Sequence, residues 1–420
     1  MLLKAAKVGF IMGSASLCTF LSNVLIARWL NKSDMGTYSL IVSLVMLFGS
    51  ISLLGRSNAL ARFFSTHPLE EYNWKKELSR FLPLSLAVIL VLGIGVRYIY
   101  RLSPLYLAII TVSTLVFVSI QLVSAGLLRS QKEYTLAVFA QKGFILLFVL
   151  ALLAIKIFGL PSLRYILVFY SLSLVLFGFL SFGLVFSKFR NGSGDIAGEF
   201  RNESFLFWGI NISLIAIKTL DKLFIGKLIS YDELAVYVAV FTVTGLYELV
   251  SMSLGFVLLP HFGRSRTIHL RRYLIQGFLL AVMISGVYLI WGPKIIHLVY
   301  SGRYDQGSPI IVFFILAGIC KIMYAIPSSM IGGRLDKKAL RLTFYYNTAN
   351  VVLHIFFLLW FITLWGLKGA ALATFCIWLL RTLQGYFILY RNRDHFRPAR
   401  DAGEMGASAA LTTEKLLPSS

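Results

Sequence analysis

Twelve apolar segments, each close to 20 residues long, follow one another along the sequence. They lie at 8 to 28, 37 to 60, 81 to 100, 104 to 128, 135 to 157, 163 to 187, 205 to 229, 234 to 258, 273 to 293, 309 to 331, 342 to 364 and 367 to 390. A helix of about 20 apolar residues crosses a hydrocarbon core of roughly 30 Å. Inside that core no water satisfies backbone N–H and C=O groups, so only helices or closed barrels can span it. The alternating pattern of barrel strands is missing, which leaves helices. With 58% hydrophobic and 14% charged residues, the 420-residue chain does not have the composition of a soluble protein. The expected fold class is an all-α polytopic membrane protein with twelve transmembrane helices.

The first segment follows Lys4 and Lys7 and so imitates a secretory leader. Its length and the eleven segments behind it mark it instead as an uncleaved first helix. Placing both termini and every even-numbered loop on one side gives that side more than twice as many Lys and Arg residues as the other. The positive-inside rule makes that side cytoplasmic, and a multi-pass protein of the cytoplasmic (inner) membrane is expected. The formal charge of +22 therefore reports orientation first and attraction to anionic lipid second, with no nucleic-acid partner expected. Cys18, Cys320 and Cys376 fall inside apolar segments at spacings that suit neither a metal site nor disulfides, and read as small packed hydrophobes. GxxxxGK[ST] and HExxH are absent, so neither ATP hydrolysis nor zinc chemistry is supported, and no cofactor is expected.

An even number of helices permits a duplication in parallel orientation, and the sequence carries traces of one. "NKSDMGTYSLIVSL" (31–44) resembles "SYDELAVYVAVFTV" (230–243), aligning Asp34 with Glu233 and Tyr38 with Tyr237, and "SISLLG" (50–55) echoes "SMSLG" (251–255). Basic turns follow the fourth segment of each half, in "AGLLRSQKEY" and "IGGRLDKK". Residues 1–187 and 205–390 are therefore expected to form two six-helix bundles related by a pseudo-twofold axis. A polar cytoplasmic linker at 188–204 and a disordered cytoplasmic tail at 391–420 complete the expected organisation. Parallel repeats of this kind place a substrate path at their interface.

Eight ionised residues interrupt the apolar segments: Arg56, Lys142, Lys218, Asp221, Lys222, Glu248, Lys321 and Arg381. Each would cost about 2.5 to 3.5 kcal/mol against lipid, so they must face one another or water. Arg56 and Arg381 are near enough to helix ends to snorkel. Lys218, Glu248 and Lys321 are close to midplane. In "KTLDK", Lys218, Asp221 and Lys222 have i, i+3, i+4 spacing, where Asp221 can neutralise only one lysine. One reading is an ion pair that orients the seventh helix. The other starts from six embedded cations against two acids, a surplus that suits a hydrated cavity for an anion such as phosphate or diphosphate. Asp221 and Glu248 read either as structural ion-pair acids or as groups that titrate while the cavity opens and closes, with ion-pair structure preferred. His297 and His354 are expected to be packed or hydrogen-bonded. Gly9 and Gly13 are expected at a close helix contact, and Pro83 and Pro327 at bends.

The stretches "ARWLNKSDMGTYSL", "TLDKLFIGKLIS", "GRYDQGSPIIVFFILAG" and "WGLKGAALAT", in this order and over residues 1 to 390, resemble the Wzx-type polysaccharide repeat-unit flippases. These belong to the multidrug/oligosaccharidyl-lipid/polysaccharide (MOP) exporter superfamily; teichoic-acid and other glycan-lipid flippases are closely related. The resemblance implies two six-helix bundles in a MATE-like V around a central cationic cavity. It implies a non-enzymatic flippase of polyprenyl-diphosphate-linked oligosaccharide working by alternating access, partnered by the bilayer and by polysaccharide polymerase machinery. Arg56, Lys142, Lys218, Lys222 and Lys321 are the expected substrate-binding residues. A MATE-like exporter of small cationic drugs fits six embedded cations poorly. A membrane-embedded polymerase or acyltransferase would need a large external loop or a His/acid pair.

Overall fold

The computed structural model describes residues 2–64, 73–131, 133–188, 197–264, 270–334 and 337–392. Among these the regular elements are all helical. The first half contains α1 (Leu2–Trp29), α2 (Lys32–Ser52), α3 (Arg56–Phe63), α4 (Trp74–Tyr100), α5 (Pro104–Val116), a π-helical stretch (Phe117–Leu122), α6 (Val123–Ser130), α7 (Tyr134–Lys142), α8 (Phe144–Ile157) and α9 (Leu163–Lys188). The second contains α10 (Ala197–Leu228), α11 (Tyr231–Val243), α12 (Leu246–Arg264), α13 (Leu270–Tyr300), a 3₁₀ turn (Asp305–Ile310), α14 (Ile311–Arg334) and α15 (Lys337–Arg391).

Helix covers every expected segment, yet fewer than twelve described helices are long and apolar enough to cross a membrane alone. Eight qualify, or nine when Tyr231–Val243 and Leu246–Gly255, bent by 51° at their junction, count as one span. The difference has three physical sources. Helix α10 carries Lys218, Asp221 and Lys222 in its middle. The fourth segment is broken by the π stretch into pieces of 13 and 8 residues around it. The last two segments are the two arms of α15, which fold back on each other at Gly366 and so count once although both are present. There φ is 55° and ψ is −128°, a conformation open only to a residue without Cβ. The fold-back sets Asn350 against Gln384, whose side-chain amides exchange two hydrogen bonds of 2.6 and 3.1 Å.

Local chemistry places the other ends. Asn31 caps α2 by accepting from the Asp34 N–H at 2.7 Å, and Ser230 caps α11 by accepting from the Glu233 N–H at 3.1 Å. These caps occupy the matched positions of the two repeat stretches, so Tyr38 and Tyr237 each lie two turns into an equivalent helix. The second echo is not structurally equivalent. Gly55 sits in the turn between α2 and α3 with φ 74°, whereas Gly255 continues α12 and the corresponding break occurs earlier, at Thr244 and Gly245. The expected linker is helical from Ala197 onward. Residues 189–196 and the tail from 393 lie outside the described residues.

The centre of the molecule is the contact of α2 with α10 and α11. Leu234 through Val240 are all buried. Gly36 lies so close to the Tyr231 carbonyl that a Cβ would collide with it, which is how α2 comes down onto the start of α11. Large apolar side chains such as Phe10, Val91, Ile94, Phe179, Ile290 and Val352 point outward instead. A buried centre with an apolar exterior is what a lipid solvent requires. The expected close contact at Gly9 and Gly13 is not formed, since a Cβ at either would meet nothing within 4 Å.

Candidate functional site

A cavity of about 610 Å³ lies between the halves. Helices α1, α2 and α7 line it from one side, and α10 to α13 from the other. The wall is mostly apolar, and small polar side chains interrupt it at Ser16, Thr19, Asn23, Ser39, Ser43 and Thr242. The charged residues on the wall are Lys142, Lys222 and Glu248.

Glu248 is the hub of the charge cluster. The break before α12 puts it in the first turn of that helix, where the unpaired N–H groups favour a carboxylate. Its Oε1 accepts from Lys218 Nζ, and its Oε2 lies 3.4 Å from Lys321 Nζ. Lys321 is 7% exposed, and its ammonium also lies 5.2 Å from the ring centre of Phe241 and 5.1 Å from that of Trp378. The quadrupoles of those rings make a desolvated lysine tolerable. Glu248 thus joins α10, α12 and α14, which sequence spacing could not indicate.

Asp221 does not play the expected part. Successive side chains on a helix diverge by about 100°, so Lys222 faces the cavity while Asp221 turns into the packed contact with α11. There Asp221 is 1% exposed and accepts from Tyr237 Oη at 2.5 Å and from the backbone N–H of Lys222 at 2.8 Å. Tyr237 Oη also shares a 2.9 Å hydrogen bond with Thr374 Oγ1. Among the described residues no lysine nitrogen lies within 4 Å of its carboxylate, so the expected Asp221–lysine ion pair is absent. The Tyr38–Tyr237 match of the repeats was the one sequence signal pointing to this partner.

Lys142 and Lys222 have no carboxylate within 4 Å among the described residues. Lys222 rests on the face of Phe241, 4.6 Å from its centre. Lys142 is the last residue of α7, where a cation is favoured by the helix dipole. The five expected binding residues therefore divide. Lys142 and Lys222 reach the cavity free of acids, Lys218 and Lys321 are engaged by Glu248, and Arg56 is not on the wall. Arg56 opens α3 with its guanidinium 4.3 Å from the centre of the Phe81 ring. Arg381, expected to snorkel, is instead 1% exposed and donates to Tyr324 Oη at 3.3 Å. His297 is exposed and bonds Asp305 through Nδ1 at 2.7 Å, while His354 is buried with no hydrogen-bond partner.

Beyond the cavity, the ends of α1 and α13 are clasped by reciprocal arginines. Arg28 donates to the carbonyls of Val299 and Leu298 at 2.7 and 2.9 Å, in the last turn of α13. Arg303 donates to those of Ala27, Arg28 and Leu30 at 3.0, 2.9 and 2.8 Å, in the last turn of α1. Each guanidinium supplies donors and positive charge to carbonyls that a helix end leaves unpaired. Lys227 donates to Ile99 O and Tyr100 to Leu223 O at the same end, again across the halves.

The model of the family described as "Polysaccharide biosynthesis protein" matches residues 4–266. No curated protein matches the sequence. Among solved structures, the lipid II flippase MurJ in an inward closed conformation is similar with TM-score 0.65 and 14% identity, covering 93% of this chain and 88% of that one. A MOP superfamily transporter from Pyrococcus furiosus, described by a reverse polarity of its binding pocket that suggests a different function, gives 0.62 and 12%, with 94% and 96% covered. A MATE family multidrug resistance transporter in an inward-facing conformation gives 0.59 and 14%, with 92% and 98% covered. The shared fold is that of the MOP superfamily.

Proposed function

The chain belongs to the polysaccharide biosynthesis protein family, and we propose that it is a flippase carrying polyprenyl-diphosphate-linked oligosaccharide across the cytoplasmic membrane. The observation that carries this reading is the pair Lys142 and Lys222, two cavity-lining ammoniums from opposite halves with no carboxylate within 4 Å among the described residues. A diphosphate is the group on a lipid-linked glycan that such a pair attracts, because it offers several charged acceptors to point-charge donors. Glu248 supplies the exchange step. It occupies Lys218 and Lys321 as an internal anion, and phosphate oxygens arriving in the cavity compete for the same two ammoniums. The serines, threonines and Asn23 of the wall suit sugar hydroxyls. The polyprenyl chain stays in lipid beside the start of α1, where Gly9 faces open space and Phe10 is exposed.

In the orientation expected from the basic loops, the arginine clasp ties the halves at the outer face. Release requires Arg28 and Arg303 to leave the carbonyls they cap. The test is deletion of the gene, complemented by wild type or by Lys222→Gln at equal membrane level. Deletion accumulates one unflipped polyprenyl-linked unit, wild type clears it, and Lys222→Gln clears it at least about tenfold less, as loss of a charge-assisted contact worth about 1.5 to 3 kcal/mol requires. Unchanged intermediates after deletion would contradict the reading.

A further inference from the structure

A second cluster of nitrogen donors lies inside the second half, away from the cavity wall. The fold-back of α15 at Gly366, with Asn350 paired to Gln384, sets His354 opposite positions 380 and 381. Arg381 is 1% exposed and His354 is fully buried. The guanidinium of Arg381 lies 4.7 Å from the centre of the Tyr324 ring and 4.8 Å from that of Trp378, two rings that meet edge to face at 6.1 Å. Its Nη2 reaches Tyr324 Oη, but among the described residues its Nε and Nη1 are buried without a partner, as are both nitrogens of His354. No carboxylate lies within 4 Å of Arg381 among the described residues. No group of three His, Cys, Asp or Glu side chains able to hold a metal occurs among them either.

Arginine does not neutralise itself by losing a proton, so a buried guanidinium needs an anion or a full set of acceptors. Tyr324 provides one acceptor; the ring faces offset only part of the charge and accept from none of the remaining N–H groups. We infer that Arg381 and His354 form a binding site for a small monovalent anion of the halide class, held by Arg381 Nε and Nη1 with an N–H of His354. The ion belongs between the two arms of α15. The ring of Trp378, 4.8 Å from the Arg381 guanidinium and 5.1 Å from the Lys321 ammonium, stands beside both this site and the Glu248 cluster. Neither Arg381 nor His354 lines the central cavity, so this site is distinct from the one proposed for the substrate. The inference does not depend on what that substrate is.

Crystals of the purified full-length protein grown or soaked in bromide test it directly. The expected result is an anomalous bromide peak between Arg381 and His354; absence of a peak there, with peaks confined to the central cavity or the surface, overturns the inference. Thermal unfolding in chloride against gluconate gives a second readout. The midpoint should rise saturably by several degrees in wild type and in Lys222→Gln, and this response should be lost in Arg381→Gln and weakened in His354→Phe. An equal chloride response in wild type and Arg381→Gln would also overturn it. If Arg381→Gln does not fold, the bromide peak and the His354→Phe response decide.

Discussion

At the scale of single residues, the charge of a buried side chain matters less than which neighbour already holds it. Lys218 and Lys321 share one carboxylate, so removing that carboxylate leaves Lys321 desolvated and unpaired. Glu248→Gln should lower stability by about 1 to 3 kcal/mol, below the full cost of breaking a buried pair because Glu248 remains partly exposed. Glu248→Gln combined with Lys321→Gln should recover at least half of that loss, read from unfolding midpoints in one detergent. Additive losses would show that the two residues are not coupled. Asp221 makes the opposite prediction. Its carboxylate accepts from the Lys222 N–H on Oδ1 and from Tyr237 Oη on Oδ2. In Asn the amide oxygen keeps the first bond and the NH2 donates to Tyr237 Oη, which turns its own proton to Thr374 Oγ1, so Asp221→Asn should leave glycan output within about twofold of wild type. An output loss equal to that of Lys222→Gln would make Asp221 a working acid and not a packing one. Sequence spacing identified all these ionised positions but paired them wrongly, because i, i+3 and i+4 describe one helix, whereas Glu248 reaches Lys218 and Lys321 on two others.

At the scale of elements, the apolar periodicity fixed where helices lie, and special residues decided where they break. Asn31 and Ser230 were legible as matched positions, and they prove to be matched caps. The breaks at Gly55 and Gly245 were not legible, because glycines also occur within unbroken helices such as α13, whereas the break at Gly366 falls in the gap between the segments 342–364 and 367–390. At Gly366 nothing surrounds the missing Cβ, so the penalty for a side chain is purely conformational. Gly366→Ala should destabilise by about 1 to 3 kcal/mol, checked by thermal unfolding. The arginine clasp was equally hidden, since Arg28 and Arg303 lie 275 residues apart in sequence and meet only when the halves close. Arg303→Ala should loosen the tied end. In a variant without native cysteines carrying Asn23→Cys in the cavity wall, an impermeant thiol reagent added outside should then react several-fold faster. An unchanged labelling rate would remove the clasp from the opening movement.

At the scale of the whole molecule, a MOP superfamily fold places a cavity where two halves meet, and this chain furnishes it with more ammonium groups than carboxylates. That balance disfavours cationic drugs, which a wall bearing Lys142 and Lys222 repels, and favours an anionic headgroup. The reconstitution of purified protein into liposomes with a polyprenyl-diphosphate oligosaccharide in both leaflets measures this most directly, by the fraction of glycan that an external glycan-cleaving enzyme can reach over time. The account predicts that the protected inner-leaflet fraction becomes accessible with wild-type protein, and at least about tenfold more slowly with Lys222→Gln. A protected fraction that persists with wild-type protein as it does in protein-free liposomes would contradict it.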